Sequence, residues 1–158
     1  MSEAVYMQIL ETVRDKLRDE FSFGSQGGVR PISRDAIVIK KTMDLKFVQT
    51  PGIIVHPGRV LIDPTMGTNA RDDYAYPVLC QIIDRDASDD IAGLKSYLKW
   101  QEQIARGFQQ QKLTGVDELY IGTVRQVDVV DERLFRRHPW FVSGVVMTFL
   151  TRMTRGVT

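Results

Sequence analysis

Apolar residues recur at helical spacing from the start of the chain, at Tyr6, Ile9, Leu10, Val13, Leu17 and Phe21. Glu11, Arg14, Asp15, Arg18 and Asp19 fall between them, so the segment predicts an amphipathic helix. Ser2 and Glu3 suit its free N–H groups, and Gly24, Gly27 and Gly28 are expected to end it. The pattern then changes to alternation. Ile37 and Ile39 predict a strand over 36–41, and Met43, Leu45 and Phe47 predict one over 43–49. Two short β pieces, 52–56 and 59–63, flank Pro57-Gly58 and read as a hairpin. A strand over 74–83 has Tyr76, Val78, Cys80 and Ile82 on one face and Ala75, Leu79 and Ile83 on the other. Pro77 lacks a backbone donor, which predicts a bulge or an unpaired position near that strand's start.

The second helix opens at Ser88-Asp89-Asp90, a cap followed by acidic residues at the positive end of the helix dipole. Ile91, Leu94, Leu98, Ile104, Ala105 and Phe108 make its apolar stripe, with Gln101 on the seam, and Gly115 follows its end. Tyr97 and Trp100 fall away from that stripe and read as a further face for subunit packing. Strands over 119–130 and 140–153, joined by a charged connection, are expected to pair antiparallel. The last one is apolar both ways, with Trp140, Val142, Val146 and Leu150 opposite Phe141, Val145, Met147 and Phe149. Such a strand belongs in the middle of a sheet covered on both sides. The fold class expected is α+β, a mixed, mostly antiparallel sheet with an N-terminal helix and one long helix packed on it. The chain holds few helices for that cover, which points to a subunit of an assembly.

Length bounds this to a single domain of 158 residues. Net charge is +1, so the chain as a whole has no pull toward nucleic acid or a membrane surface. The one cysteine, Cys80, sits in an apolar run and reads as a buried small hydrophobe in a reduced, intracellular setting. The N-terminus lacks a secretory pattern, and no apolar run approaches the ~20 residues of a membrane span.

Candidate chemistry is sparse. The glycine-bearing segment 22–35 lacks a Gly-Lys-Ser/Thr element and predicts a mobile surface loop instead of a phosphate cradle. Asp84, Asp86, Asp89 and Asp90 lack the glycine and terminal glutamate of a calcium loop and read as solvated, helix-capping acids. Asp63, Asp72 and Asp73 have no evident basic partner for acid–base work, and His56 and His138 are too few to hold zinc. No nucleophile elbow or dinucleotide fingerprint occurs. The polar stretch 65–73 is of the kind that binds something or orders in an assembly. The run Arg133-Leu134-Phe135-Arg136-Arg137-His138, beside Trp140, reads as a solvated loop, a protein interface or a nucleic-acid contact.

The order of elements is helix, β elements, strand, long helix and two strands. It resembles the tail-terminator and tail-completion (neck) proteins of long-tailed bacteriophages. The resemblance is carried by Ile9, Leu10, Val13 and Leu17 in the first helix and by the Pro/Gly-rich 52–63 segment before Tyr74-Ala75-Tyr76-Pro77-Val78. Arg106 and Phe108 in the long helix, and the ending from Trp140-Phe141-Val142 to Phe149-Leu150-Thr151-Arg152, complete it. It implies a virion protein, assembled in the host cytoplasm as a homo-oligomeric ring, commonly a hexamer, at the head-proximal end of the tail. The ring stops tube growth and meets tail-tube and neck or connector proteins. DNA passes through it without sequence-specific or membrane contacts. No enzyme activity, catalytic residue, cofactor or metal is implied. Contacts are expected on loops 22–35, 63–73 and 131–139, and the interface candidates are Arg30, Arg34, Arg71, Asp72, Asp73, Trp100, Arg133, Phe135, Arg136 and Arg137. The alternatives are a head-side connector, a small α/β ligand-binding module or enzyme using 63–73 and His56, and a nucleic-acid-binding domain using Arg133, Arg136 and Arg137.

Overall fold

In a computed structural model, the chain is described over residues 4–25, 29–41, 49–58, 61–63, 71–85, 91–109, 119–128 and 141–154. The first helix, α1, spans Val5–Asp19 and buries Ile9, Leu10, Val13 and Leu17, the stripe its spacing predicts. It begins at Ala4 without a side-chain cap, and it ends at Glu20, whose N–H donates to Lys16 O. The expected stop at the glycines is therefore corrected, since the helix closes before Phe21. The candidate capping residues Ser2 and Glu3, with Gly27 and Gly28, lie outside the described residues.

A short 3₁₀ turn, Arg34–Ala36, leads into β1 (Ile37–Ile39). The strand expected over 43–49 lies outside the described residues except for Gln49. A cis Thr50–Pro51 bond precedes β2 (Gly52–Pro57), and β3 (Leu61–Asp63) and β4 (Arg71–Asp84) follow. The second helix, α2, spans Ile91–Phe108, and β5 (Leu119–Asp128) and β6 (Phe141–Thr154) close the chain.

The strands form one six-stranded sheet in the order β1-β2-β4-β6-β5, with β3 also on β4. Only β1 and β2 pair parallel, so the sheet is mixed and mostly antiparallel as expected. The chain is thus α+β. The expected β5–β6 pairing is present, and β6 lies inside the sheet between β4 and β5.

The hairpin read at Pro57-Gly58 is corrected. Segments β2 and β3 do not pair with each other but follow one another along the same side of β4. Pro57 is opposite Val78 and Leu61 is opposite Ala75, so the register advances by one residue between them, as at a β-bulge. Gly58 does not reverse the chain, because its N–H donates to Pro77 O at 3.0 Å and to the Tyr6 hydroxyl at 2.8 Å. The bulge foreseen in the strand of Pro77 is corrected: Pro77 keeps its register opposite Thr148 of β6, and the extra residue is on the β2–β3 side. Pro77 lies within β4, which begins at Arg71 and not at Tyr74.

Both helices cover one face of the sheet. Helix α1 lies over β1 and β2, and α2 lies over β5 and β6. Beneath them Ile53, Val55, Val78, Cys80, Ile82 and Met147 are fully buried. The stripe assigned to α2 is corrected in part: Ile104 and Phe108 are buried as expected, with Gln101 beside them, but a rotation of the helix turns Leu94 and Leu98 outward. Its large buried side chains include Tyr97, Trp100, Gln101, Ile104 and Phe108, whereas Leu94 and Leu98 are 39% and 38% exposed. Tyr97 and Trp100 bring more apolar surface than two leucines, so turning them inward removes more area from water. Where the helices meet, Phe21 packs on Phe108 with ring centroids 5.6 Å apart, and Lys16 Nζ donates to Gly107 O at 3.2 Å.

Candidate interaction surface

The loop after α1 is held to the body of the protein, which corrects the expectation of a mobile segment for its described residues. Phe23 and Ile32 are buried, and Ile32 N–H donates to Phe23 O at 3.2 Å. Trp100 Nε1 donates to Gly24 O at 2.7 Å. Arg18 reaches from the last turn of α1 to donate through Nε and Nη2 to Ile37 O at 3.0 and 2.7 Å. A cavity of about 210 Å³ lies here, lined by Leu17, Phe21, Phe23 and Ile32, with Arg18 and Arg34. Arg18 is engaged with Ile37 O and Arg34 is paired with Asp19.

The candidate interface residues do not converge on one place. Arg30 and Arg34 are exposed as expected, but Arg30 donates to Thr50 O at 3.4 Å and Arg34 pairs with Asp19. Trp100 is fully buried, which corrects its reading as an interface residue. Arg71, Asp72 and Asp73, read as loop residues, belong to β4, where they are opposite Thr154, Met153 and Arg152 of β6. Asp63, at the end of the expected β piece 59–63 and at the start of the expected 63–73 loop, is in β3 opposite Asp73. Arg133, Phe135, Arg136 and Arg137 lie outside the described residues, as do His138 and Trp140.

Asp84 is corrected from a solvated acid to a buried one. Its Oδ2 accepts the Tyr97 hydroxyl at 2.6 Å, and Gln101 Nε2 donates to Gly144 O at 3.2 Å. These bonds fix the face that α2 turns to β4 and β6. Asp86, Asp89 and Asp90 lie outside the described residues.

The opposite face of the sheet carries no helix among the described residues. One end of it is closed, because Ile54 and Ile83 are fully buried and Val142 nearly so, with Val38 packed against them. Further along, Leu79, Gln81, Val146 and Thr148 are half-buried. His56 Nε2 lies 3.0 Å from Gln81 Oε1, which makes that ring nitrogen the donor. The histidine is thus engaged with a neutral amide.

Cys80 is fully buried, and burial pushes its thiol well above the ordinary range. It therefore offers no thiolate for nucleophilic chemistry near neutral pH. Among the described residues no cluster of His, Cys, Asp or Glu could hold a metal ion, and no helix is long and apolar enough to cross a membrane. What sequence reasoning missed is the outer surface of α2. Leu94, Lys95, Leu98 and Lys99 are all exposed there, and the helical spacing of Tyr97, Trp100, Ile104 and Phe108 was the signal available for it.

No protein-family model matches the chain, and no curated protein matches it.

Proposed function

We propose that this chain is a structural, non-enzymatic ring subunit at the head-proximal end of a phage tail, where it ends the tail tube and joins it to the neck. The observation that carries the reading is the one-sided helical cover. Helices α1 and α2 occupy the same face of the sheet, and the other face keeps Leu79 and Val146 half-buried with no described helix over them. Apolar area stabilises an association by about 25 cal/mol per Å² removed from water, so such a face favours contact with neighbours. A ring supplies those neighbours by head-to-tail contacts that close on rotation.

The observed order, α1, the β elements through β4, α2, then β5 and β6, agrees with the layout on which the resemblance to tail-terminator and tail-completion proteins rests. The described histidine and cysteine sit in structural settings, consistent with a protein that works through its surfaces. The test is to locate the chain in purified particles by electron microscopy. Ring density fitted by this fold at the head–tail junction is the expected result. Particles that lack the chain at that junction overturn the proposal.

A further inference from the structure

The outer surface of α2 is unlike the rest of the described exterior. Leu94 and Leu98, one helical turn apart, are large apolar side chains that stand exposed, at 39% and 38%. Lys95 and Lys99, also one turn apart, stand exposed beside them, and neither has an ion-pair partner among the described residues. Arg106 on the same surface is matched by Glu102 at 2.6 Å. The surface thus combines an apolar strip with two uncompensated cations.

The outer surface of α1 carries a row of acids among its cations. Glu11, Asp15 and Asp19 follow one another at intervals of one turn. Asp19 is taken by Arg34, but Glu11 has no ion-pair partner among the described residues. Arg14 reaches only Oδ1 of Asp15, at 3.0 Å on an exposed carboxylate. The steps from Glu11 to Asp15 and from Lys95 to Lys99 each rise ~6 Å along their helix. Two cations and two carboxylates of equal spacing can therefore meet as pairs. The helices also sit over opposite ends of the strand order, α1 over β1 and β2 and α2 over β5 and β6. A contact between them across two copies repeats head to tail and does not pair like with like.

We propose that the outer face of α2 docks on the outer face of α1 in a second copy of this chain. Lys95 and Lys99 lie against Glu11 and Asp15, and Leu94 and Leu98 are buried at the contact. The proposal rests on the ring reading above and names one contact of that ring, on the helical side of the sheet, in addition to the helix-free sheet face that carries the reading.

The test uses two full-length variants, K95E/K99E and E11K/D15K. Each alone presents like charges at every α1–α2 contact. Mixed in equal amounts, they present opposite charges at every contact between unlike copies. Sedimentation velocity at low salt should show oligomers for the wild-type chain, loss of them in each variant alone, and their return in the mixture. Circular dichroism checks that each variant is folded, the positions being exposed at Asp15, Lys95 and Lys99 and half-buried at Glu11. Folded variants that assemble like the wild type overturn this interface, and so does a mixture that fails to recover. A wild-type chain that is monomeric at every concentration overturns it too. The particle images report on the ring reading separately. Ring density at the junction together with indifferent charge variants would remove the interface and leave the ring.

Discussion

Replacing Trp100 separates a core role from a surface one. The side chain is fully buried, meets Tyr97 edge-on with centroids 5.6 Å apart, and donates to Gly24 O at 2.7 Å. Trp100→Ala removes the indole and leaves a cavity between α2 and the loop after α1, which costs about 3–5 kcal/mol. Trp100→Phe keeps an aromatic ring against Tyr97 but loses the hydrogen bond and part of the volume. Gly24 is exposed, so water can replace the donor at its carbonyl, and the expected cost is about 1–2 kcal/mol. Domains of this kind are stable by about 5–15 kcal/mol, so the alanine variant should shift the unfolding midpoint by a large fraction. Urea unfolding followed by far-ultraviolet circular dichroism reads both costs, and an unchanged slope confirms that the two-state comparison holds. If Trp100→Ala loses less than about 1 kcal/mol, the packing argument fails. If it keeps full stability but no longer self-associates, the tryptophan belongs to an interface, as its place off the Leu94–Leu98 stripe had suggested.

Two glycines of the sheet should respond in opposite ways. A Cβ at Gly52 would lie 2.4 Å from Gln49 O and 2.8 Å from Ala36 O, both backbone atoms, so Gly52→Ala should cost roughly 3 kcal/mol. A Cβ at Gly144 would lie 3.6 Å from Gln81 Cγ, an ordinary contact, so Gly144→Ala should be neutral or stabilising by up to about 1 kcal/mol. Thermal midpoints in the reverse order would refute the glycine argument. Burial raises the Tyr6 phenol above its ordinary 10.0, against a smaller lowering by its hydrogen bond with Gly58. The folded value is the higher one, so the neutral phenol's contribution is complete below pH 10 and is lost as pH rises through the folded value. Tyr6→Phe should therefore cost about 1–2 kcal/mol at neutral pH and lose less than the wild type on going to alkaline pH. Urea midpoints that fall in parallel for the two proteins would contradict this. The Cys80 thiol should resist a disulfide reagent in the native protein and react only as urea opens the fold, and rapid native modification would show that it is not sealed.

The sequence made periodicity legible wherever a single stripe or alternation dominated. The α1 stripe from Ile9 to Leu17 and the inward set Tyr76, Val78, Cys80 and Ile82 are buried as their spacing implies. The two apolar faces of β6 placed it inside the sheet, where it pairs with β4 and β5. The errors came where a local signal competed with a distant partner. Pro57-Gly58 has the composition of a turn, but β4 spans Arg71–Asp84 and can pair with β2 and β3 in succession. In α2, Leu94 and Leu98 recur at helical spacing, and so do Tyr97, Trp100, Ile104 and Phe108. Only the aromatic area and the bonds to Asp84 and Gly144 decide which set faces the sheet. Of the candidate arginines, Arg30 and Arg34 were legible as exposed cations. Their partners, Asp19 for Arg34 and Thr50 O for Arg30, come from distant parts of the chain and could not be read from spacing.

The rotation of α2 also connects the fold to the proposed assembly. A helix with one apolar stripe is satisfied by one core. Helix α2 carries two, offset by about a quarter turn, as one residue advances about 100° in a helix of 3.6 residues per turn. Tyr97 and Trp100 cannot face β6 while Leu94 and Leu98 do the same. Once the aromatic set is inside, the leucines are left on the exterior beside Lys95 and Lys99. A chain acting alone gains nothing from an exposed leucine pair. A chain whose neighbour brings Glu11 and Asp15 to the same place satisfies both stripes, one within the subunit and one between subunits. On that reasoning, Leu94→Ser with Leu98→Ser should weaken self-association while leaving the unfolding midpoint of the monomer nearly unchanged. An equal loss in both measurements would mean that the leucines belong to the core after all.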